Sequence, residues 1–417
     1  MTHFLLSKKF TKFKIIFNEP FIQNRKAEFI EYTEGIYIYI YKMPFPDVVK
    51  RGDDFFYQYP RGSTLWKFLH YSTSVFVIGM SKIFLKLFYN VRVNNFNNLQ
   101  TALDRSKQED RGLMTIMNHM STVDDPFVWA TFPMSLYKSL SNIRFCLGAH
   151  NICFKNKFVS NFFTLGGVLS TERFGKGPFQ GSIDCGIKIL SKNGHKDGYS
   201  SWMHVYPEAF VLQLQPPYNN SMRYFKWGVT RMILESSKPP IIVPIFGTGF
   251  EKIAPEDETL PTWKHFINSW GATVNVTVGE PVQENIIESY RREWQILISK
   301  YSKPNDTDLS EELKFGSEAQ DLRSRLASEL RAQVSEVRKL NKELQQEDPR
   351  FQDHKWWKIF TQTEGKSDPD VRFIGQNWAI RRLHEFLNMK PKNDEQITNE
   401  PSVNQTNGND MKKKKNN

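Results

Sequence analysis

A chain of 417 residues with 39 % apolar side chains is long enough for one large domain or two ordinary ones, and it can fill the core of a globular enzyme. Its three cysteines, Cys146, Cys153 and Cys185, are odd in number and lack CxxC spacing, so neither a disulfide framework nor a zinc site is indicated and they read as core thiols. The formal charge of +11 calls for an anionic partner, nucleic acid or acidic lipid, and 33 Phe, 15 Tyr and 10 Trp favour a lipid interface over nucleic acid.

In chain order, the first 18 residues carry Lys8, Lys9, Lys12 and Lys14 without an acid, compatible with an import-type segment although Arg is absent. The character changes at Met43, so residues 1–46 read as an extension whose true start is Met1 or Met43. The apolar stretch Phe68–Ser81 runs 14 residues before Lys82. A full helical span needs about 20. The segment from about 65 to 90 therefore reads as an interfacial or re-entrant helix, or as an ordinary buried one, with Trp66, Lys67, Lys82 and Lys86 suited to a headgroup layer.

Between about 100 and 285, helical patterns alternate with short β-rich runs at 113–117, 167–170, 202–206, 241–246 and 273–278. These runs show little internal alternation, as strands covered on both faces do, so residues 47–300 are predicted to form an α/β domain. From Asp308 onward Leu322, Leu326, Leu330, Val334, Val337, Leu340 and Leu344 recur at steps of three or four. They predict one long amphipathic helix over 311–346, whose apolar face docks on the domain, on a partner helix in an oligomer, or on a bilayer. A Trp-rich unit, 356–387, completes a helical C-terminal region over 301–390, and the polar tail 391–417, ending in four lysines, is expected to be disordered.

The stretch Asn118-His119-Met120-Ser121-Thr122-Val123-Asp124-Asp125-Pro126 follows the apolar run LMTIM and reads as a strand-to-helix corner, with Ser121 or Thr122 as N-cap. Asp124, in the first helical turn, can fold back onto the His119 imidazole. A carboxylate on one ring nitrogen fixes the tautomer and leaves the other as proton acceptor. A lone His–Asp pair is more often a structural hydrogen bond, so spacing alone does not decide.

NHMSTVDDP resembles the first motif of the glycerolipid acyltransferase superfamily, and its second Asp and Pro resemble the tafazzin version of it. The likeness runs from about residue 47 to 387, through RGDDFF, LGAHNICFKNKFVSNFF, LSTERFGKGPFQGS, VYPEAFVLQ, RYFKWG and IIVPIFGTGFEKI, and the Trp-rich end fits a fungal member. It implies a central mixed sheet flanked by helices, with His119 as general base and Asp124 as its orienting partner. Arg173, in STERFG, matches the arginine expected on the glycerol phosphate; read physically, it is a guanidinium suited to bidentate phosphate contact, followed by small residues. Glu208, in YPEA, matches the substrate-holding motif Pro-Glu-Gly, but Ala209 stands where Gly is usual, which argues against a backbone needing positive φ there. The apolar IIVPIF lines an acyl channel or only completes the sheet. Arg223 and Lys226 form a basic-aromatic patch that holds a headgroup or caps a helix. Oxyanion donors are expected among backbone N–H groups near the start of the helix at Asp124.

The resemblance further implies a phospholipid donor without coenzyme A, no cofactor and no metal. The implied partners are phospholipids and lysophospholipids, cardiolipin and phosphatidylcholine among them, on the outer and inner mitochondrial membranes facing the intermembrane space. Rival readings are a coenzyme A-dependent lysophospholipid acyltransferase, a phospholipase, and a non-catalytic scaffold on a membrane surface; no RNA-binding motif or zinc finger supports nucleic acid.

Overall fold

The computed structural model describes residues 63–172, 177–191, 200–255, 260–302, 308–357 and 371. The 1–46 extension, Arg173, most of the Trp-rich unit and the 391–417 tail lie outside the described residues.

Seven strands form one sheet: β1 (Asn90–Asn94), β2 (Leu113–Met117), β3 (Phe145–Ala149), β4 (Val168–Thr171), β5 (Trp202–Val205), β6 (Ile241–Thr248) and β7 (Thr273–Val278). Their order is β1-β7-β6-β2-β5-β3-β4, and every pairing is parallel except β6 with β7, so the sheet is mixed as the resemblance implies. All five predicted strands are present, with ends that shift by at most two residues; β1 and β3 had no prediction.

Every residue of β2 is buried, because helices cover both faces. Alternation along LMTIM sends Met114 and Ile116 to one side and Leu113 and Met117 to the other. The first side is packed by α6 (Gly181–Ser191), α7 (Trp227–Leu234), α10 (Glu284–Tyr301) and α12 (Ser317–Lys339), the second by α1 (Thr64–Phe88), α2 (Phe96–Gln108) and α3 (Asp124–Thr131). Short helices α4 (His150–Cys153), α5 (Lys157–Leu165), α8 (Phe250–Ile253), α9 (Thr262–Asn268) and α11 (Glu311–Phe315) fill the connections.

The segment expected over about 65–90 is one helix, Thr64–Phe88, and the helix predicted over 311–346 needs correction. The helix around the 14-residue apolar stretch extends over 25 residues and is long and apolar enough to cross a membrane by length and composition. Only one stripe, His70, Ser74, Ile78, Ser81 and Leu85, faces the domain. The Lys82 ammonium donates to the Ala130 and Phe132 carbonyls at 2.9 and 2.8 Å, at the C-terminal end of α3 where a cation is favoured. The opposite face leaves Leu65, Phe68, Phe76, Met80, Ile83 and Leu87 exposed.

The single helix expected over 311–346 is two, α11 and α12, separated at Gly316, whose backbone is extended and where an added Cβ would lie 2.4 Å from the Glu312 carbonyl. Leu322, Leu326, Leu330, Val334 and Val337 are buried in the chain's own core, so the stripe proposed for an oligomer contact packs internally. Leu340, past the helix end, is exposed.

Candidate active site

Three parallel strands, β6, β2 and β5, lie side by side, so their C-terminal ends deliver Gly247, Asn118–His119 and Tyr206–Glu208 to one edge of the sheet. Asn118 pins that edge: its amide donates to the Gly247 carbonyl at 3.0 Å and its Oδ1 accepts the Gly247 N–H at 2.9 Å. His119 follows where β2 has ended.

His119 Nδ1 and Asp124 Oδ2 are 2.8 Å apart. The same oxygen accepts the backbone N–H groups of Met120 and Ser121 at 2.8 and 3.0 Å, so it is an acceptor for three donors and the ring proton belongs on Nδ1. Nε2 is thereby left as the basic nitrogen. The imidazole keeps 22 % of its surface exposed while the carboxylate is fully buried, an orientation that puts the base outward and its partner inward. One face of the ring stacks on Tyr206, with centroids 4.3 Å apart and 21° between planes.

The local path differs from the predicted corner. Val123 stands at the N-cap of α3 without a side-chain cap bond, and the Ser121 hydroxyl donates instead to the Ala254 carbonyl at 3.0 Å. The N–H groups of Met120 and Ser121 serve Asp124, that of Val123 meets Ser121 Oγ at 3.4 Å, and that of Asp124 meets the Ser121 carbonyl at 3.3 Å. None of these four is open as an oxyanion donor.

Glu208 is 0 % exposed. Its Oε1 accepts the His119 N–H at 2.8 Å and its Oε2 the Arg223 N–H at 2.6 Å, so it braces backbone and does not offer an open carboxylate to a lipid. Burial pushes its carboxyl up to about 8, against the opposing pull of those two N–H donors. Ala209 adopts φ +62, the left-handed conformation that the replacement of Gly argued against, at the end of a turn closed by its N–H on the Tyr206 carbonyl at 3.1 Å. Three residues on, Leu212 returns its N–H to the His119 carbonyl at 2.7 Å.

Arg223 and Lys226 sit on the next stretch. Lys226 N–H bonds the Pro207 carbonyl at 2.8 Å, and Arg223 is buried. The strand IIVPIF forms most of β6 and is buried throughout. Arg173 lies outside the described residues.

Three site residues had no individual assignment from sequence. Tyr206 supplies the platform under His119, Asn118 clamps β2 to Gly247, and Arg144 donates to Asp125, with its guanidinium 5.4 Å from the Trp129 ring. The second Asp of the motif was the signal for this last pair, but Arg144 stands in no recognisable pattern. Beneath Tyr206 the fully buried His204 is drawn well below its ordinary value, first by burial and then by Arg144 and His119.

A family model for acyltransferases matches residues 90–247, the stretch from the start of β1 to Gly247 in β6. The tafazzin of Saccharomyces cerevisiae is 58 % identical over 83 % of this chain and 97 % of its own length. The tafazzin of Drosophila melanogaster is 32 % identical over 52 % of this chain and 53 % of its own. An N-acylphosphatidylethanolamine synthase of Arabidopsis thaliana is 33 % identical over 46 % and 64 %. With nearly the whole yeast protein matched and the His–Asp pair set at the sheet edge, this chain is an acyltransferase belonging to the tafazzin family.

Proposed function

We propose that the chain is a phospholipid–lysophospholipid transacylase that remodels cardiolipin without coenzyme A, with His119 as general base and Asp124 as its orienting partner. The observation that carries the reading is the outward, half-buried imidazole whose Nδ1 is held 2.8 Å from a fully buried carboxylate.

His119 Nε2 takes the proton of a lysophospholipid hydroxyl as its oxygen attacks an ester carbonyl of a second phospholipid. A new C–O bond forms, the old ester C–O bond breaks, and the departing alkoxide recovers the proton from the imidazolium. The products are one phospholipid and one new lysophospholipid. Asp124 stabilises the transient imidazolium, and holding two lipids in one orientation supplies much of the rate. Arg173 is assigned to a substrate phosphate on its motif.

The exposed apolar face of α1 supports association with a membrane surface. Phe88 at its end stacks on Trp270 at 5.0 Å, and Trp263 and Ile267 on α9 are also exposed, so aromatic and aliphatic side chains cluster as at a bilayer interface. The basic N-terminus and the resemblance to the tafazzin motifs favour mitochondrial membranes.

Acyl exchange between labelled phosphatidylcholine and lysocardiolipin, run without coenzyme A on the wild type and His119→Ala, tests the reading. Exchange in the wild type and its loss in the variant are expected. Turnover only on adding an acyl-coenzyme A assigns the chain to the dependent acyltransferases, and near-normal exchange in His119→Ala removes the base assignment.

A further inference from the structure

Two cations share one aromatic nest beside the His119 corner. The Arg223 guanidinium lies 5.0 Å from the Phe210 ring, 5.1 Å from Tyr224 and 5.5 Å from Trp357. Lys226 Nζ lies 4.3 Å from the same Tyr224 ring and donates to its hydroxyl at 2.6 Å. Arg223 is 8 % exposed, and its Nε is buried with no hydrogen-bond partner.

Among the described residues neither cation forms an ion pair with a carboxylate. Glu208 meets Arg223 only at its backbone N–H. Glu347 is bound to Arg331 at 2.9 Å. Buried like charges without a counter-ion are costly, and the ring faces offset only part of that cost. The phenol reports the same positive field: burial would raise Tyr224, yet Lys226 and Arg223 hold it below its ordinary value. Burial, and then Arg223, lowers Lys226 as well.

Lys226 is also the N-cap of the eight-residue α7, and no side chain caps that end. The first N–H groups of an uncapped helix and the positive end of its dipole add to the same field. A guanidinium with an orphaned N–H, an ammonium and a helix N-terminus are the donors that hold a phosphate.

We propose that Arg223, Lys226 and the N-terminus of α7 form an anion subsite that takes a phosphate ester, and that its occupant is the headgroup phosphate of one of the two lipids. The assignment rests on the transacylase reading, in which two phospholipids, and so at least two phosphates, must be held together. The subsite is tied to the chemistry through one side chain, because Glu208 joins the Arg223 and His119 amides. Headgroup seating and placement of the base are thereby coupled.

Calorimetric titration of the full-length His119→Ala protein separates binding from turnover. Detergent-dispersed lysophosphatidylcholine and monoacylglycerol of the same chain length are the paired probes, with inorganic phosphate as a third. Lysophosphatidylcholine is expected to bind roughly tenfold or more tighter than monoacylglycerol, the worth of one or two charge-assisted hydrogen bonds. Lys226→Met and Arg223→Gln, added singly, are expected to abolish that preference and leave monoacylglycerol binding unchanged. Lys226, half-buried, keeps the test alive should the Arg223 variant fail to fold.

Competition by inorganic phosphate that Lys226→Met removes supports the subsite with free phosphate as a sufficient ligand. A lipid preference without such competition supports it with the lipid-borne ester as the ligand. Equal affinity for the two lipids in the parent, or a preference that survives both substitutions, overturns it. If acyl exchange persists in His119→Ala while the preference holds, the transacylase mechanism falls and the subsite stands.

Discussion

Glu208 Oε1 accepts the backbone N–H of His119 at 2.8 Å, across 89 residues of sequence, so the carboxylate positions the base through its main chain and not through its ring. Its second oxygen serves Arg223 N–H, so both oxygens accept, the hydroxyl oxygen of the acid form through a lone pair that an amide NH2 lacks. In Glu208→Gln one of them becomes an NH2 that faces an N–H. The expected cost is about 1–3 kcal/mol of stability, with a lower kcat, measured by thermal melts and acyl exchange.

The same group predicts a pH dependence. The folded carboxyl titrates at about 8 and the unfolded one near 4.5, so the folded state holds a proton that the unfolded state has released between those values. Stability from Glu208 is fully present below about 4.5, declines as pH rises, and is gone once pH has passed about 8. The difference in melting temperature between wild type and Glu208→Gln should therefore shrink across that window; a constant difference contradicts the assignment.

Asp124→Asn is expected to keep the fold. The Asn Oδ1 can take the place of Oδ2 and accept all three N–H donors, while its NH2 occupies the place of Oδ1, which is buried and without a partner among the described residues. What disappears is the negative charge proposed to stabilise the imidazolium. Turnover should fall on the order of 10³–10⁴-fold, as when other carboxylates that orient a catalytic imidazole are neutralised, with little change in melting temperature. Unchanged turnover would make the pair purely structural.

The contact between His119 and Asp124 was legible because both lie within six residues and a strand-to-helix corner is local. The role of Glu208 was not, since the His119 amide is brought to it by the parallel register of β2 and β5 and the Arg223 amide by the return of the 209–223 stretch. Strands rich in β-branched or apolar residues were readable; β1 (NVRVN), largely exposed, and β3 (FCLGA), with its small residues, were not. The break at Gly316 was missed because the stripe that predicted the helix begins at Leu322, C-terminal to the break, and a period says nothing about where backbone crowding interrupts a helix.

Ala209 offers a test in the stabilising direction. An L-residue other than Gly at φ +62 costs about 1–2 kcal/mol, and Gly returns about 0.5–1 kcal/mol of that through its more flexible unfolded chain. Ala209→Gly should raise stability by up to about 1 kcal/mol and leave turnover near that of wild type, because the turn hydrogen bonds are backbone to backbone. A destabilised variant would mean that the methyl group carries a packing contact.

The C-terminal helix reaches the same corner. Arg331, on α12, pairs with Glu347 at 2.9 Å and donates to the carbonyls of Met222 and Arg223 at 2.8 and 3.1 Å; Glu347 accepts the Met222 N–H at 2.6 Å. Both side chains are buried, so removing one strands the other. Arg331→Met should cost about 3–5 kcal/mol, more than Arg331→Met with Glu347→Leu, which leaves no buried charge behind. Because residues 222–223 hold Glu208, which holds His119, the single variant should also lose turnover at temperatures where it remains folded. Normal turnover in folded Arg331→Met would show that the helix supports the domain without setting the His119 corner, although Arg331 bonds the stretch whose Arg223 amide holds Glu208.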